Sequence, residues 1–387
     1  MNKKELELYI HIPFCVRKCS YCDFLSAPAT EQTREAYMAA LFAEIGGRAK
    51  DYSDRTVTSI FIGGGTPSLL SGEQIGQLMD RIREQFAMAQ DAEITMEVNP
   101  GTASAEKLRN FYTAGINRLS IGMQSAQAEE LKNLGRIHDF EGFCQVYREA
   151  VEAGFTNINV DIMSGLPGQT LASYRDTLEK VLHLEPMPQH ISAYSLIVEE
   201  GTPFAAMAER GELPLPEEET ERAMYEETIE VLAKYGFHRY EISNYARDGY
   251  ECRHNVGYWI RGDYLGFGIG AASLIDNVRF QNEKSLGAYL AHPLESREEE
   301  QTLTVQDRME ETMFLGLRLT RGVSCVDFAE QYGRTVEEVY GEVIARNVAD
   351  GLLTVTERKE NQKKDRFLAL TKRGLDLSNY VMAQFLF

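Results

Sequence analysis

The chain has 387 residues, 43% of them hydrophobic and 26% charged, which is enough for one large folded domain and a smaller one. Acidic residues outnumber basic ones by 59 to 40, and the net charge of −19 argues against a nucleic-acid partner, since phosphate binding needs clustered Lys and Arg. No apolar run approaches the roughly 20 residues of a membrane span, and the opening residues lack the apolar core of a signal peptide. We therefore expect a soluble, cytoplasmic protein with no integral membrane segment.

Strand-like and helix-like segments alternate through the first half of the chain. Apolar, β-branched runs predict six strands, at Leu8–Phe14, Val57–Ile62, Ile94–Val98, Arg118–Met123, Ile158–Met163 and His190–Val198. Helical patterns lie between them, at Gln32–Ile45, Glu73–Phe86, Ala105–Ala114, Phe140–Ala153 and Leu171–Leu182. Such alternation indicates parallel strands. The predicted fold class is α/β, an incomplete (β/α)6 barrel whose functional groups gather at the C-terminal ends of the strands.

Three cysteines follow the first predicted strand, spaced as Cys15-x-x-x-Cys19-x-x-Cys22. Iron–sulfur clusters normally take four cysteine thiolates, so three leave one iron free for a small molecule, as at metal sites that keep an open position. A zinc site or buried thiols are the alternatives, but no further Cys or His lies nearby at zinc-ligand spacing. The spacing therefore favours a [4Fe–4S] cluster with one open iron.

The second predicted strand runs into three glycines, in the segment FIGGGTPSL at Phe61–Leu69. Glycine lets backbone groups approach a ligand closely and tolerates positive φ, and no Gly-Lys-Ser/Thr follows to make a phosphate loop. Together, the cysteine loop and the glycine run resemble the radical S-adenosylmethionine (SAM) superfamily. That resemblance implies that SAM chelates the open iron, and that an electron from the cluster cleaves SAM to a 5′-deoxyadenosyl radical.

Polar side chains lie at the ends of the next predicted strands. Glu97 closes the third and Gln124 the fourth, Arg136 follows in LGRIH, and Asp161 interrupts the apolar fifth strand. Ordinary strand-end carboxylates would explain Glu97 and Asp161, but an unpaired charge within an apolar strand is costly. Contact with SAM is the functional alternative, because its carboxylate suits the planar guanidinium of Arg136. The sequence leaves open which carboxylate holds the ribose.

Six segments narrow the resemblance to one family. YIHIPFC, GGGTP, EVNPG, RLSIGMQS, LGRIH and NVDIMSGLPGQT resemble, in order, the oxygen-independent coproporphyrinogen III oxidase family. The resemblance implies that the cluster is held by Cys15, Cys19 and Cys22. It also implies a set of SAM-contacting residues, which are Tyr9, Gly64, Gly65, Thr66, Glu97, Gln124, Arg136 and Asp161.

Two branches of that family differ in features that can be checked here. The oxidase branch has a longer N-terminal region and a fourth cysteine two positions beyond the third. In this chain that position is Phe24, and only eight residues precede Tyr9. Residues 254–259 instead read HNVGYW, which resembles the HNxxYW motif of the haem chaperone branch. That branch binds haem and is thought to pass it to acceptor proteins.

His254 is the candidate haem ligand. Imidazole suits iron, and Tyr258 and Trp259 offer flat faces to a porphyrin. The alternative is that His254 and Trp259 simply pack between the barrel and the C-terminal region. Cys252 is a rival thiolate ligand that we rank below His254.

The last part of the chain reads as a separate domain. We expect a barrel domain over 1–295 and a mainly helical, winged-helix-like domain over 296–387, after an acidic stretch that suits a linker or a helix start. Segments LLTVTE and FLALTKRG are predicted to pair as a hairpin, and the predicted helices are Gln306–Leu317, Val326–Tyr332, Val336–Asn347 and Leu375–Phe385. A wing does not by itself imply DNA binding.

These patterns lead to one expected function and one alternative. The expected function is a haem chaperone that retains the [4Fe–4S] cluster and SAM. The alternative is an oxygen-independent coproporphyrinogen III oxidase, in which the radical would decarboxylate propionate side chains; Phe24 and the short N-terminal segment count against it. Whether SAM is cleaved is left open. Expected partners are haem and haem-acceptor proteins of unknown identity, while a homodimer and a peripheral membrane contact are both compatible with the sequence.

Overall fold

The computed structural model describes residues 4–295, 297–360 and 363–386. Six parallel strands form the centre of a 12-stranded sheet, in the order of the chain. Their bounds are β1 (Lys4–Ile12), β2 (Arg55–Gly64), β3 (Ala87–Val98), β4 (Arg118–Gln124), β5 (Ile158–Ser164) and β6 (His190–Ser195). All pairs from β1–β2 to β5–β6 are parallel. The expected incomplete (β/α)6 arrangement of parallel strands is therefore confirmed.

Helices connect these strands and cover the outside of the sheet. They are α1 (Glu31–Arg48), α2 (Gly72–Gln85), α3 (Ala105–Thr113), α4 (Ala128–Leu134), α5 (Phe140–Ala153), α6 (Leu171–Leu182), α7 (Pro203–Glu209) and α8 (Glu218–Lys234). Short polar side chains begin many of them: Ser71 and Gln74 form a capping box on α2, and Asp139 caps α5. One continuous apolar core lies between sheet and helices.

Further strands extend the sheet beyond both ends of the parallel set. On the β6 side lie β8 (Asn244–Ala246) and β7 (His238–Arg239). On the β1 side, β9 (Tyr264–Phe267) pairs parallel with β1 and is followed by antiparallel β10 (Ala272–Ile275), β11 (Val278–Asn282) and β12 (Arg297–Thr302). Helices α9 (Arg253–Trp259) and α10 (Leu286–Ala291) lie between these strands in the chain.

The C-terminal part has a core of its own. Its helices are α11 (Val305–Gly316), α12 (Cys325–Tyr332), α13 (Val336–Ala349), α14 (Lys372–Asp376) and α15 (Ser378–Ala383). A three-stranded sheet completes it, with β13 (Val323–Ser324), β14 (Leu353–Glu360) and β15 (Lys363–Leu370). The β14–β15 pair is antiparallel, which confirms the predicted hairpin and the mainly helical, winged character of this part.

Several predicted bounds need correction. The first strand ends at Ile12, before the predicted Phe14, because Pro13 has no N–H for the ladder. The acidic stretch is an exposed edge strand, β12, and not a helix start. The predicted helix Leu375–Phe385 is replaced in the structure by two short helices, α14 and α15. Because β12 pairs with β11, the large sheet continues past residue 295, while the domain boundary at 295/296 stays a prediction.

None of the helices in the described part of the chain has both the length and the apolar character of a membrane span.

Candidate functional site

The cysteine loop connects β1 to α1 and is closed at its base by backbone hydrogen bonds. Cys15 N donates to Ala27 O at 3.1 Å, and Ala27 N donates to Pro13 O at 3.0 Å. Farther along the loop, Ser20 N donates to Leu134 O at 3.0 Å, and Arg17 reaches Gly135 O at 2.7 Å. The loop is therefore tied both to its own strand and to the connection after α4.

All three predicted cluster ligands line one cavity of about 320 Å³ at the C-terminal ends of the strands. The thiols are free and only partly buried. Thr66 Oγ1 donates to Cys15 Sγ at 3.5 Å, and Arg136 Nη1 lies 3.9 Å from Cys19 Sγ. Across the described residues, no three Cys, His, Asp or Glu side chains are grouped tightly enough for a single metal ion. Three thiols around one cavity fit the cysteine thiolates that would hold an iron–sulfur cluster.

Seven of the eight predicted SAM-contacting residues line the same cavity. They are Gly64, Gly65, Thr66, Glu97, Gln124, Arg136 and Asp161. The structure thus brings together residues from the ends of strands β2, β3, β4 and β5 and from the connection after α4. Their roles toward SAM stay predictions.

The glycines fit this place because a side chain would not. A Cβ on Gly65 would lie 2.6 Å from Phe14 O and 2.9 Å from Phe14 N. Gly65 N donates to Ile12 O at 2.8 Å, so the glycine run lies directly against the cysteine loop. Gly64 has a φ of 112°, which side chains rarely adopt. Glycine is therefore required at both positions, where the cysteine loop packs against the end of β2.

Two partly buried carboxyl groups line the cavity. Glu97 accepts a hydrogen bond from Gly64 N at 3.0 Å, and Asp161 accepts one from Asn159 Nδ2 at 2.7 Å. Burial, together with nearby Asp161, raises the pKa of Glu97 to about 8. Burial also raises the pKa of Asp161, although hydrogen bonds from Asn159, Ser192 and Ser120 act in the opposite direction. A cationic ligand would favour the ionised forms of both, and SAM carries a sulfonium and an ammonium.

Arg136 and Gln124 line the same cavity as these carboxyl groups. Arg136 Nη2 donates to Gly122 O at 2.7 Å, and its buried Nε has no partner among the described residues. An unpaired buried donor is unfavourable without a ligand, and a carboxylate would satisfy it. Gln124 adopts a left-handed backbone, with φ of 69°, and its Oε1 accepts from the Tyr194 hydroxyl at 2.8 Å. The guanidinium of Arg136 therefore suits the carboxylate of SAM, and the carboxyl groups of Glu97 and Asp161 suit its cationic groups.

Tyr9 is the predicted contact that lies elsewhere. Its hydroxyl is 3.0 Å from Nδ1 of His11, and its side chain lines a neighbouring cavity of about 720 Å³. The two cavities share Phe24, Gly64 and Glu97. Contact between Tyr9 and SAM would therefore have to be made across this shared wall.

His254, the candidate haem ligand, is buried inside the barrel at 1% exposure. Its Nδ1 lies 2.8 Å from Ser59 Oγ and its Nε2 lies 3.0 Å from the Tyr258 hydroxyl. Burial lowers the pKa of His254 to about 3, so the ring is neutral at pH 7. In this conformation both nitrogens are occupied and neither can bind iron. Its assignment as a haem ligand stays a prediction that requires the ring to move.

The rival ligand Cys252 is also buried. Its Sγ lies 3.4 Å from Glu93 Oε1, and burial raises the pKa of the thiol to about 12. A thiol that is hard to ionise is a poor metal ligand.

Sequence reasoning missed two residues near the site. Tyr194 comes from the end of β6 and hydrogen-bonds Gln124, and Arg118 is fully buried at the start of β4. The position of Tyr194 as a polar side chain within a predicted barrel strand is the signal that could have identified it. A fully buried arginine gives no such signal, since its partners are distant in sequence.

Comparison with known proteins adds the family context. Residues 9–181 match the model of the Radical SAM superfamily, and residues 303–377 match that of the HemN C-terminal domain. A Bacillus subtilis protein named heme chaperone HemW is 38% identical over 385 residues, covering 98% of each chain. A Lactococcus lactis protein of the same name is 36% identical and covers 100% of this chain and 98% of its own.

One solved structure is similar over nearly the whole chain. It is the coproporphyrinogen III oxidase HemN from Escherichia coli, described as a radical SAM enzyme, with a TM-score of 0.84 and 28% identity. The alignment covers 99% of this chain and 90% of that one. The similarity includes the C-terminal part as well as the barrel.

Proposed function

Since the chain belongs to the HemW family within the radical SAM superfamily, we propose that it is a haem chaperone that binds haem and delivers it to acceptor proteins. The observation that carries this proposal is the similarity, across 98% of the chain, to a protein named heme chaperone HemW. Phe24 at the position of the oxidase branch's fourth cysteine supports it. The acceptors are proteins of unknown identity, and we place their encounter with this chain in the cytoplasm.

The proposal includes two bound groups in the cavity of about 320 Å³. Cys15, Cys19 and Cys22 would hold a [4Fe–4S] cluster, and SAM would occupy the space beside it. A bound and reduced cluster would be able to supply an electron to SAM. Arg136, through its unpaired Nε, would take the carboxylate of SAM.

Glu97 and Asp161 would then bind the cationic groups and the ribose of SAM. Both carboxyls have raised pKa values through burial, and a bound cation would favour their ionised forms. Gln124 lines the cavity, and the Tyr194 hydroxyl, 2.8 Å from its Oε1, would hold the amide in place for a hydrogen bond to SAM.

A second candidate function is oxygen-independent coproporphyrinogen III oxidation. Its support is the TM-score of 0.84 to the Escherichia coli coproporphyrinogen III oxidase and the same set of cluster and SAM residues. In that function a propionate side chain would give a hydrogen atom to the 5′-deoxyadenosyl radical. The resulting radical would then release carbon dioxide and pass one electron to an external one-electron acceptor, which leaves a vinyl group. A measurement of SAM cleavage alone would not distinguish the two candidate functions. Cleavage of SAM without a substrate would release the same 5′-deoxyadenosine as the oxidase reaction.

One anaerobic experiment tests both functions. Protein with a reconstituted cluster receives SAM, a strong reductant and coproporphyrinogen III, and the tetrapyrroles and 5′-deoxyadenosine are separated by chromatography. In parallel, haem-loaded protein is mixed with an apo-cytochrome and transfer is followed by absorbance. We expect haem transfer and no vinyl-bearing product. Many turnovers of vinyl product without transfer would make the protein an oxidase.

The oligomeric state belongs to the same proposal. A homodimer would bring two haem sites together, and its formation can be followed by sedimentation with and without cluster, SAM and haem.

A further inference from the structure

The cavity of about 720 Å³ beside the cysteine-lined one has a distinct character. It lies between strands β1, β9, β10 and β11 on one side and helix α11 of the C-terminal part on the other. Its volume falls within the range of about 300–1,000 Å³ that is typical of small-molecule sites. Phe24, Gly64 and Glu97 form the wall that it shares with the predicted SAM cavity.

Flat apolar side chains make up much of its lining. Tyr258 and Trp259 come from α9, Tyr264 from β9, and Phe314 from α11. The rings of Tyr258 and Tyr264 meet edge to face, with centroids 4.6 Å apart. The buried indole Nε1 of Trp259 has no hydrogen-bond partner among the described residues. This lining suits a large, flat, apolar ligand that also carries an acceptor.

A cluster of charges closes one side of the cavity. Arg261 Nε and Arg279 Nη2 each lie 2.8 Å from a different oxygen of Glu311. The Glu311 side chain is 7% exposed, whereas that of Arg279 is 39% exposed and accessible to a ligand. Two guanidiniums on one carboxylate leave a positive charge in excess. The accessible guanidinium is suited to a carboxylate of the ligand.

The other titratable groups of the lining do not cancel this charge. Without SAM, burial raises the pKa of Glu97 to about 8 and keeps the group mostly neutral at pH 7. With SAM bound, the cationic groups of SAM would offset the charge of Glu97. Burial also lowers the pKa of His11 and raises that of Tyr9 and Tyr258, which keeps all three uncharged. The site therefore has an apolar aromatic body and one cationic edge.

We propose that haem binds in this cavity, with its ring against Tyr258, Trp259 and Phe314 and a propionate on Arg279. This inference rests on the proposed haem chaperone function and gives that function a location. It also accounts for the HNVGYW segment without iron ligation by His254, because His254 touches the cavity through its hydrogen bond of 3.0 Å to Tyr258. His254 is then a positioning residue for the aromatic wall.

The first test reduces the volume of the cavity by placing a larger side chain at an exposed position of its lining. Ala272 on β10 is exposed and lines the cavity, so Ala272→Trp adds volume there without disturbing the core. Ala43→Trp, at an exposed position on α1, is the matched control. In titrations of cluster-loaded protein with haem, we expect Ala272→Trp to weaken binding about tenfold or more and Ala43→Trp to leave it unchanged. Iron content and circular dichroism check that both variants fold.

The second test addresses the propionate. Wild-type protein and Arg279→Gln are titrated with haem and with haem dimethyl ester, and Arg109→Gln at an exposed position of α3 is the control. Wild type and the control should bind haem about tenfold or more tightly than the ester, as expected for a charge-assisted hydrogen bond. Arg279→Gln should bind the two equally.

The outcomes separate this inference from the function on which it rests. If wild type binds haem, and Ala272→Trp and Arg279→Gln bind it with unchanged affinity and ester discrimination, then haem binds elsewhere and only the location is wrong. If wild type loaded with cluster and SAM binds no haem, the chaperone function itself falls, and this location with it.

Discussion

Nδ1 of His254 lies 2.8 Å from the hydroxyl oxygen of Ser59, a contact that joins helix α9 to strand β2 across 195 residues of chain. The same ring stacks on Phe61, with centroids 5.3 Å apart, and reaches Tyr258 through its other nitrogen. The HNVGYW segment is therefore part of the barrel interior as well as of the wall of the adjoining cavity.

Replacing His254 with Ala should destabilise the protein. The change removes two hydrogen bonds and leaves a buried cavity, and we expect the free energy of unfolding to fall by about 2–4 kcal/mol. Urea unfolding followed by circular dichroism measures it. His292, whose side chain is 70% exposed, offers the control: His292→Ala should change stability by no more than about 0.5 kcal/mol. Equal effects of the two substitutions would mean that His254 is not held as described.

Glu7 should make stability depend on pH. Burial raises the pKa of Glu7 to about 9, and its buried Oε2 has no hydrogen-bond partner among the described residues. The folded state therefore binds a proton that the unfolded state releases near pH 4.5. The stability from this group is present below pH 4.5 and is lost as the pH rises toward 9.

The corresponding experiment compares Glu7→Gln with wild type by urea unfolding between pH 5 and pH 9. We expect the variant to gain stability relative to wild type as the pH rises, by at most about 1.4 kcal/mol per pH unit. Glu5→Gln, at an exposed neighbouring position, should follow wild type across the range. A difference between Glu7→Gln and wild type that does not vary with pH would show that Glu7 is ionised in the folded protein.

Gly65→Ala should disturb the cysteine loop. The added Cβ would lie 2.6 Å from Phe14 O, a backbone atom that cannot turn away. We expect a loss of roughly 1–3 kcal/mol in stability and a lower iron content after reconstitution. Gly76→Ala is the control, because no atom lies within 4 Å of its added Cβ in helix α2. That variant should keep its iron and gain up to about 1 kcal/mol. Normal iron content in Gly65→Ala would contradict the close packing of loop and strand.

Arg136→Lys should weaken SAM binding while sparing the cluster. Lysine keeps the charge but loses the planar pair of donors, so we expect SAM to bind about tenfold more weakly in equilibrium dialysis. Iron content should be unchanged. Arg148→Lys, at an exposed position on α5, is the control and should bind SAM like wild type. Unchanged affinity in Arg136→Lys would remove Arg136 from the predicted SAM site.

The parts of the fold that depend on local pattern were predictable from the sequence. The six barrel strands follow from apolar runs. The cysteine loop and the glycine run have a spacing that predicts a cluster site beside a close approach of the backbone. Packing of His254 was one of the two alternatives that the sequence offered, but its partner Ser59 was not predictable, since it lies 195 residues away. Helix α9 also gave no signal, because a seven-residue segment has too few turns to show a helical period.

The two ends of the 12-stranded sheet have a consequence for how copies of this chain can meet. An open sheet normally offers its edge strands as templates for another chain. Here one edge is β7, of only two residues, and the other is β12, which is exposed along its length and carries three consecutive glutamates, Glu298 to Glu300. Shortness at one edge and mutual repulsion at the other oppose continuation of the sheet from molecule to molecule. Self-association through sheet edges is thereby disfavoured, and any dimer would have to form through a different surface.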